Sequence, residues 1–399
     1  MSSRAMSGHH VPTPSHDEGH HPSTERRCPI GTREILFVCL IFLLSRLLIF
    51  SVMAVSDRFI SPPTGVSFWN LDNPLLRPLF RWDAGWYLSV AANGYSYNGN
   101  PRQPQNINFF PLYPLTCRLC RAATGLSIPL CAFLLSNLAL FVGLTAFYAL
   151  ATREIGPEGA RVAILLLAFF PGSFFFSTMY TESFFLAFSV LAFSAFRKQQ
   201  FILGGMWAGL GTATRVTGVL LFVPLLFEGF SCRKDRKIWW RVIVAGLLTA
   251  SGIGAFMVWQ WMAFGDPLAF SKVQQQAWGS RFSSPLWAAR AAFEQIFTAH
   301  FSPQPYNAIF GLMFIVLACA LTRRLPWSYS VYTLLGVLLP LFTTKVNSLT
   351  RYVNVLFPGF MALGIIGRTS RWVPWVLLAL FTVVLTIFSI RFAQWHWIP

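Results

Sequence analysis

Charge is what this sequence has least of. Only 11% of its 399 residues are Asp, Glu, Lys or Arg, and 14 of them are acidic. A soluble domain carries about a quarter charged residues, so a water-soluble globular fold is excluded. Strands of alternating apolar and polar residues are missing too, which excludes a membrane β-barrel and leaves helices that satisfy their own backbone. The seven Cys are scattered without zinc spacing. Cys117 and Cys120 form a CxxC, read here as two independent loop thiols rather than a bridge. No Walker A loop, dinucleotide fingerprint or metal-ligand cluster occurs, so no nucleotide cofactor is expected and nothing calls for a metal.

What is present is apolar: 55% of the chain is hydrophobic, with 40 Phe and 15 Trp. Runs of about twenty apolar residues recur, long enough to cross a hydrocarbon core of about 30 Å as helices. They predict about eleven spans, at 34–56, 128–151, 160–172, 178–196, 201–214, 216–229, 242–264, 305–321, 328–343, 352–367 and 373–391. The run from Ile35 to Val55 is too long for a signal-peptide core and reads as an anchor. The net charge of +17 fits an excess of Lys and Arg in cytoplasmic turns, here Arg26, Arg27, Arg33, Arg153, Arg197, Lys198, Arg233–Lys237, Arg323, Arg324, Arg368 and Arg371. No basic face interleaved with aromatics lies outside the spans, so nucleic acid is not a partner. Residues 1–33, with five of the seven His, read as a disordered cytoplasmic tail, and 34–399 as one membrane domain. Its external side holds two long loops, 57–127 and 265–304, and six carboxylates: Asp57, Asp72, Asp83, Glu182, Asp266 and Glu294.

The first loop predicts its own helix. Pro78 starts it, Asn93-Gly94 ends it, and Leu79, Trp82, Trp86 and Val90 make an apolar face lying in the interface. Asp83 and Tyr87, four apart, share the neighbouring face. Framed by Trp82, Trp86 and Tyr87, Asp83 is the candidate general base, since partial desolvation raises a carboxylate toward useful basicity. The bland alternative is a pair with Arg81 or the cap of a turn. Pro111 and Pro114 break FFPLYPL (Phe109–Leu115), which enters the interface without spanning. Glu182 falls in PGSFFFSTMYTES (Pro171–Ser183), a break between two short spans where Thr181 or Ser177 is the expected helix cap. Tyr180 sits beside it. Arg215, inside an apolar stretch, needs a partner or a cavity. It either holds a phosphate or pairs with Glu182. Arg351, ahead of Tyr352, is a second candidate phosphate ligand or a snorkelling cation. Arg46, inside the first span, could pair with another helix. Gly205 and Gly209 predict close helix packing and nothing more.

Taken together, RWDAGWY (Arg81–Tyr87), FFPLYP, PGSFFFSTMYTESFF, Arg215 with Gly218, and SLTRYV (Ser348–Val353) followed by Phe357-Pro358 resemble the GPI mannosyltransferase II (PIG-V-type) family, in the family's order. The resemblance implies a GT-C-like glycosyltransferase bundle and a polyprenyl-phosphate-linked donor, typically of mannose. It also implies an essential acid in the first external loop, at Asp83 with Trp82 beside it. The catalytic set expected is then Asp83 and Glu182, with Arg215 and Arg351 on the donor phosphate and Trp82, Trp86, Tyr87, Tyr180 and Tyr352 on substrate. Transfer to a hydroxyl of a glycan, glycolipid or protein would invert C1. Arg215-Val216-Thr217-Gly218 departs from the Arg-Ser-Asn-Gly of related members. The compact chain looks more like a bacterial member in the inner membrane than an endoplasmic-reticulum enzyme, and a GPI acceptor is not expected. The rival class is a lipid or solute transporter or flippase. It predicts inverted repeats and mid-membrane polar sites, whereas no repeat is evident and the carboxylates gather on one face.

Overall fold

The computed structural model describes residues 31–60, 71, 73–279, 284, 290, 304–343 and 348–398. The predicted tail up to residue 30, Asp72, Glu294 and most of the 280–303 stretch lie outside the described residues. Helix α1, Thr32–Phe59, has neither Pro nor Gly over 28 residues. At 1.5 Å per residue it is about 42 Å long, more than a bilayer core needs. Leu36 and Leu47, more than 60% exposed, face outward, as they must when the surroundings are lipid rather than water.

Helix α2 is Ala84–Asn93, α3 Leu112–Thr124 and α4 Ile128–Ala168. Within α4, Gly156 takes φ +80° ahead of Pro157 and breaks the helix. Tyr148, before the break, lies against Phe37 near the start of α1. Ala168, after it, is level with Arg46 half-way along α1. The chain has therefore turned back, as two successive spans predict. Helices α5 (Glu182–Arg197), α6 (Phe201–Thr214), α7 (Phe222–Ser231) and α8 (Arg236–Phe264) follow. The α6–α8 contact is close because Gly205 and Gly209 meet the Ala245 and Leu248 backbone directly. Then come α9 (Ala269–Gln276), α10 (Gln304–Leu321), α11 (Trp327–Leu341), α12 (Leu349–Asn354), α13 (Phe357–Thr369) and α14 (Val373–Ala393).

The protein is thus an all-helical, multi-pass membrane protein. Among the described residues, α1, α4, α8 and α14 are long and apolar enough to cross a membrane unaided. Others are shorter, such as α5 with 16 residues and α6 with 14. Helices surrounded by protein need not match the bilayer, because neighbouring chain can cover their ends. The eleven expected spans are therefore not reproduced as eleven equal helices. Phe170, where α4 ends, fixes the interior: Phe310, Phe314, Phe360 and Phe381 each meet it edge-on, with centroids 5.1–6.0 Å away. The two ends of the bundle are polar in different ways. At one end Arg197 joins Glu154 at 3.0 Å and Glu228 at 3.1 Å. At the other, Asp57 at the end of α1 takes Arg77 at 2.5 Å and Arg81 at 2.8 Å.

Candidate active site

The segment around Asp83 does not fold as one helix. A short 3-10 turn covers Arg77–Leu79, Trp82 adopts φ +54°, and α2 begins only at Ala84. The left-handed Trp82 breaks the helix predicted to start at Pro78, and it puts Asp83 in front of α2. Gly94, at φ +84°, ends α2 where the sequence places the stop. Asp83 makes no side-chain cap to its own helix. Its Oδ2 instead accepts from Arg351 Nη1 at 2.7 Å, and its carboxylate keeps 18% exposure. Arg81, the bland partner, turns away to Asp57 and to the Ala393 carbonyl.

Glu182 arrives from a different direction. After Phe170 the chain forms a 3-10 turn at Ser173–Phe176 and enters α5 at Glu182, all of it buried. Thr181 stands at the N-cap, yet neither it nor Ser177 caps α5: Thr181 Oγ1 has no partner, and Ser177 Oγ donates to Asn137 instead. The loop is held from elsewhere. Arg46 donates to the Ser173 and Ala168 carbonyls at 2.9 and 3.1 Å, and to the Ser173 and Ser177 hydroxyls. The Ala168 carbonyl ends α4, where the dipole favours a cation. The sequence expects Arg46 to pair with another helix; its acceptors are instead the end of α4 and the turn after it, backbone atoms and hydroxyls that no motif announces.

Glu182 Oε1 accepts from Arg215 Nη1 at 2.6 Å and from Arg351 Nε. Four charges thus form one alternating chain, Asp83–Arg351–Glu182–Arg215, drawn from four separate elements. Glu182 is fully buried and Asp83 is not. Arg215 reaches it because α6 stops at Thr214 and the backbone turns extended at residue 215. The following turn lies so close to α6 that a Cβ on Gly218 would come within 2.6 Å of Thr212 backbone atoms. Gly218→Ala is therefore expected to cost about 1–3 kcal/mol by overpacking, checked as a lower thermal midpoint in detergent.

Tyr180 joins the two carboxylate segments. Its hydroxyl donates to the Arg81 carbonyl at 3.1 Å and accepts from the Asp83 amide at 3.2 Å, while the Arg351 guanidinium lies 4.4 Å above its ring. Tyr352 does the same for Arg215 at 5.3 Å. Tyr87 and Tyr180 are almost fully buried, whereas Trp82, Trp86 and Tyr352 are half-buried. Burial pushes the Tyr87 phenol up to about 12 against the pull of nearby Arg351, so it stays a neutral hydroxyl. Trp86 stacks on Phe109 and meets Trp278 edge-on. FFPLYP therefore forms the wall behind α2, and α3 begins within it, Pro114 being tolerated in a first turn.

Trp278, Trp395 and Trp397 also border this region and were not singled out in the sequence; Trp–x–Trp following a last span was the available signal. Of the other carboxylates, Asp266 pairs with Lys272 at 2.7 Å. Cys117 and Cys120 are free thiols. Among the described residues no three His, Cys, Asp or Glu side chains gather as a metal site.

A family model described as mannosyltransferase (PIG-V) matches residues 30–278, more than half of the chain, including Asp83, Glu182 and Arg215. The mouse GPI alpha-1,6-mannosyltransferase 2 is 28% identical over 191 residues, 45% of this chain and 37% of that protein. A GPI mannosyltransferase 2 of Drosophila pseudoobscura pseudoobscura is 33% identical over 120 residues, 28% of this chain and 25% of that one. The chain thus spans between a quarter and two fifths of the length of these curated relatives. Among solved structures, ArnT from Cupriavidus metallidurans bound to undecaprenyl phosphate aligns with a TM-score of 0.49 at 13% identity, over 90% of this chain and 76% of that one. The archaeal oligosaccharyltransferase AglB from Archaeoglobus fulgidus, in complex with an inhibitory peptide and a dolichol-phosphate, aligns at 0.46 and 13%, over 92% and 57%. On the extent of the family match, the chain belongs to the mannosyltransferase (PIG-V) family.

Proposed function

We propose that this protein is a GT-C-type glycosyltransferase that moves mannose from a polyprenyl-phosphate-linked donor to a hydroxyl acceptor on the extracytoplasmic face. The observation that carries the reading is the Asp83–Arg351 pair, in which a partly open carboxylate lies 2.7 Å from a buried guanidinium. Asp83 takes the proton of the acceptor hydroxyl. The acceptor oxygen forms its bond to C1 as the C1–phosphate bond breaks, and the electron pair leaves with the polyprenyl phosphate. A single displacement of this kind inverts C1.

Glu182 takes another part. It is fully buried and shares one oxygen between two guanidiniums, so it holds Arg351 and Arg215 rather than meeting the sugar. The four charges cancel, and the donor's phosphate arrives as the extra anion. Among the described residues Arg215 spends only Nη1 on a carboxylate. The rest of its fork, with Arg351, is available for charge that grows on the leaving phosphate. Tyr180 and Tyr87 act through Asp83 and Arg351, while Trp82, Trp86 and Tyr352 border the substrate. Donor and acceptor are lipid-borne or membrane-adjacent, and the bacterial inner membrane is the proposed site.

The test is incubation of the purified protein with labelled polyprenyl-phosphate mannose and native lipid extract. Label covalently attached to an acceptor is the expected result. Label that crosses liposomes unmodified would instead identify a flippase, and the proposal would fall.

A further inference from the structure

Among the described residues only four that are not glycine have positive φ: Trp82, Gln199, Ser348 and Trp395. Three of these meet in one place. A left-handed residue with a side chain costs about 1–2 kcal/mol, and such strain persists only where surroundings enforce it. Trp82 immediately precedes Asp83, and Ser348 is the N-cap of the short helix that carries Arg351. Trp395 belongs to the segment just after α14, and that segment touches both of the others.

The end of α14 is built as a Schellman turn. His396 N–H donates to the Arg391 carbonyl and Trp395 N–H to the Phe392 carbonyl, with Trp395 at the left-handed position. Glycine or asparagine normally occupies that position. A tryptophan there needs a return from its ring, and the ring has two contacts. It lies 5.9 Å from Trp82, edge-on, and 4.9 Å under the Arg81 guanidinium. Trp397 takes another side of Trp82 at 5.1 Å, and Arg81 Nε caps the Ala393 carbonyl at 2.9 Å. On the other flank, the Ile398 carbonyl accepts from the Ser348 hydroxyl. Gln394 Nε2 fastens the segment to Ser56 at the end of α1.

We infer that residues 393–398 form a positioning clip that seats Asp83 against Arg351, one flank gripping Trp82 and the other Ser348. The clip rests on the proposed role of Asp83 for what it positions, while its own geometry is independent of that role. The chain enters α2 at Asp83 from a new direction because Trp82 is left-handed, and Trp82 lies between two indoles. Trp395 and Trp397 are positioning residues, not catalytic ones. Displacement of a reacting group by about 1 Å costs on the order of 10²-fold in rate.

Trp395→Gly separates clip from fold, because glycine eases the left-handed turn and preserves the helix stop while deleting the ring. In the full-length protein, the expected result is a fall in kcat of about tenfold or more with donor KM within about threefold. Trp395→Phe, which retains a ring, should recover most of it. Backbone hydrogen exchange should quicken in Trp395→Gly at both 81–87 and 348–353, segments far apart in sequence. Trp375→Ala, at the opposite end of α14 and 62% exposed, should alter neither rate nor exchange. Unchanged exchange at either segment in Trp395→Gly overturns the clip, as does turnover equal to wild type. If the wild-type protein transfers no lipid-linked sugar, the enzymatic reading fails instead, and paired exchange at the two segments still decides the clip.

Discussion

Asp83→Asn is expected to reduce transfer by about 10²–10⁴-fold, the usual worth of a general base. The amide keeps the size of the side chain and leaves the Trp82 turn and the Tyr180–Asp83 amide bond in place. Arg351 still has Glu182 as its counter-ion, so folding and membrane insertion should survive. The loss should fall on kcat rather than on donor KM, since the proton is taken only in the transition state. Initial rates with labelled polyprenyl-phosphate mannose, set beside the thermal midpoint, provide the check. Near-normal turnover by a folded variant would refute the assignment of Asp83.

The second large effect concerns stability. Glu182→Ala removes the one anion that lies between Arg215 and Arg351, in a place with no exposure to water. Breaking a buried pair from one side costs about 3–5 kcal/mol, because the remaining charge is stranded. Here Arg215 is stranded outright and Arg351 retains Asp83. Replacing Glu182 and Arg215 together by Leu should therefore recover most of the stability while leaving activity low. A double-mutant cycle in thermal unfolding reads this coupling directly. Additive losses from the two sites would show that the four charges do not act as one unit.

How much of this was legible in the sequence varies with range. The membrane class follows from apolar runs alone, and the reversal at Gly156-Pro157 follows from the two successive runs 128–151 and 160–172. Asp83, Glu182, Arg215 and Arg351 stand out individually, because charge in an apolar setting requires a reason. Their pairing does not, since they lie on four elements separated by as many as 268 positions. Local pattern also misled at one point. The spacing of Leu79, Trp82, Trp86 and Val90 is helical, but packing against Trp395 and Trp397 holds Trp82 in a conformation that helical spacing cannot reveal. The partners of Arg46 and the role of the segment after α14 were hidden for the same reason, being carbonyls and ring faces distant in sequence.

Arg46 has a consequence for how the protein is made. Its guanidinium is anchored by Ser173, which is synthesised 127 residues later. At about 5–20 residues per second, the ribosome needs roughly 6–25 s to supply that anchor. For that interval the first helix carries a bare cation in its middle, which favours a shallow or tilted pose beside the insertion machinery, with water still in reach. The partner for that cation arrives with the same loop that brings Glu182, whereas Arg215 and Arg351 follow only later in the chain.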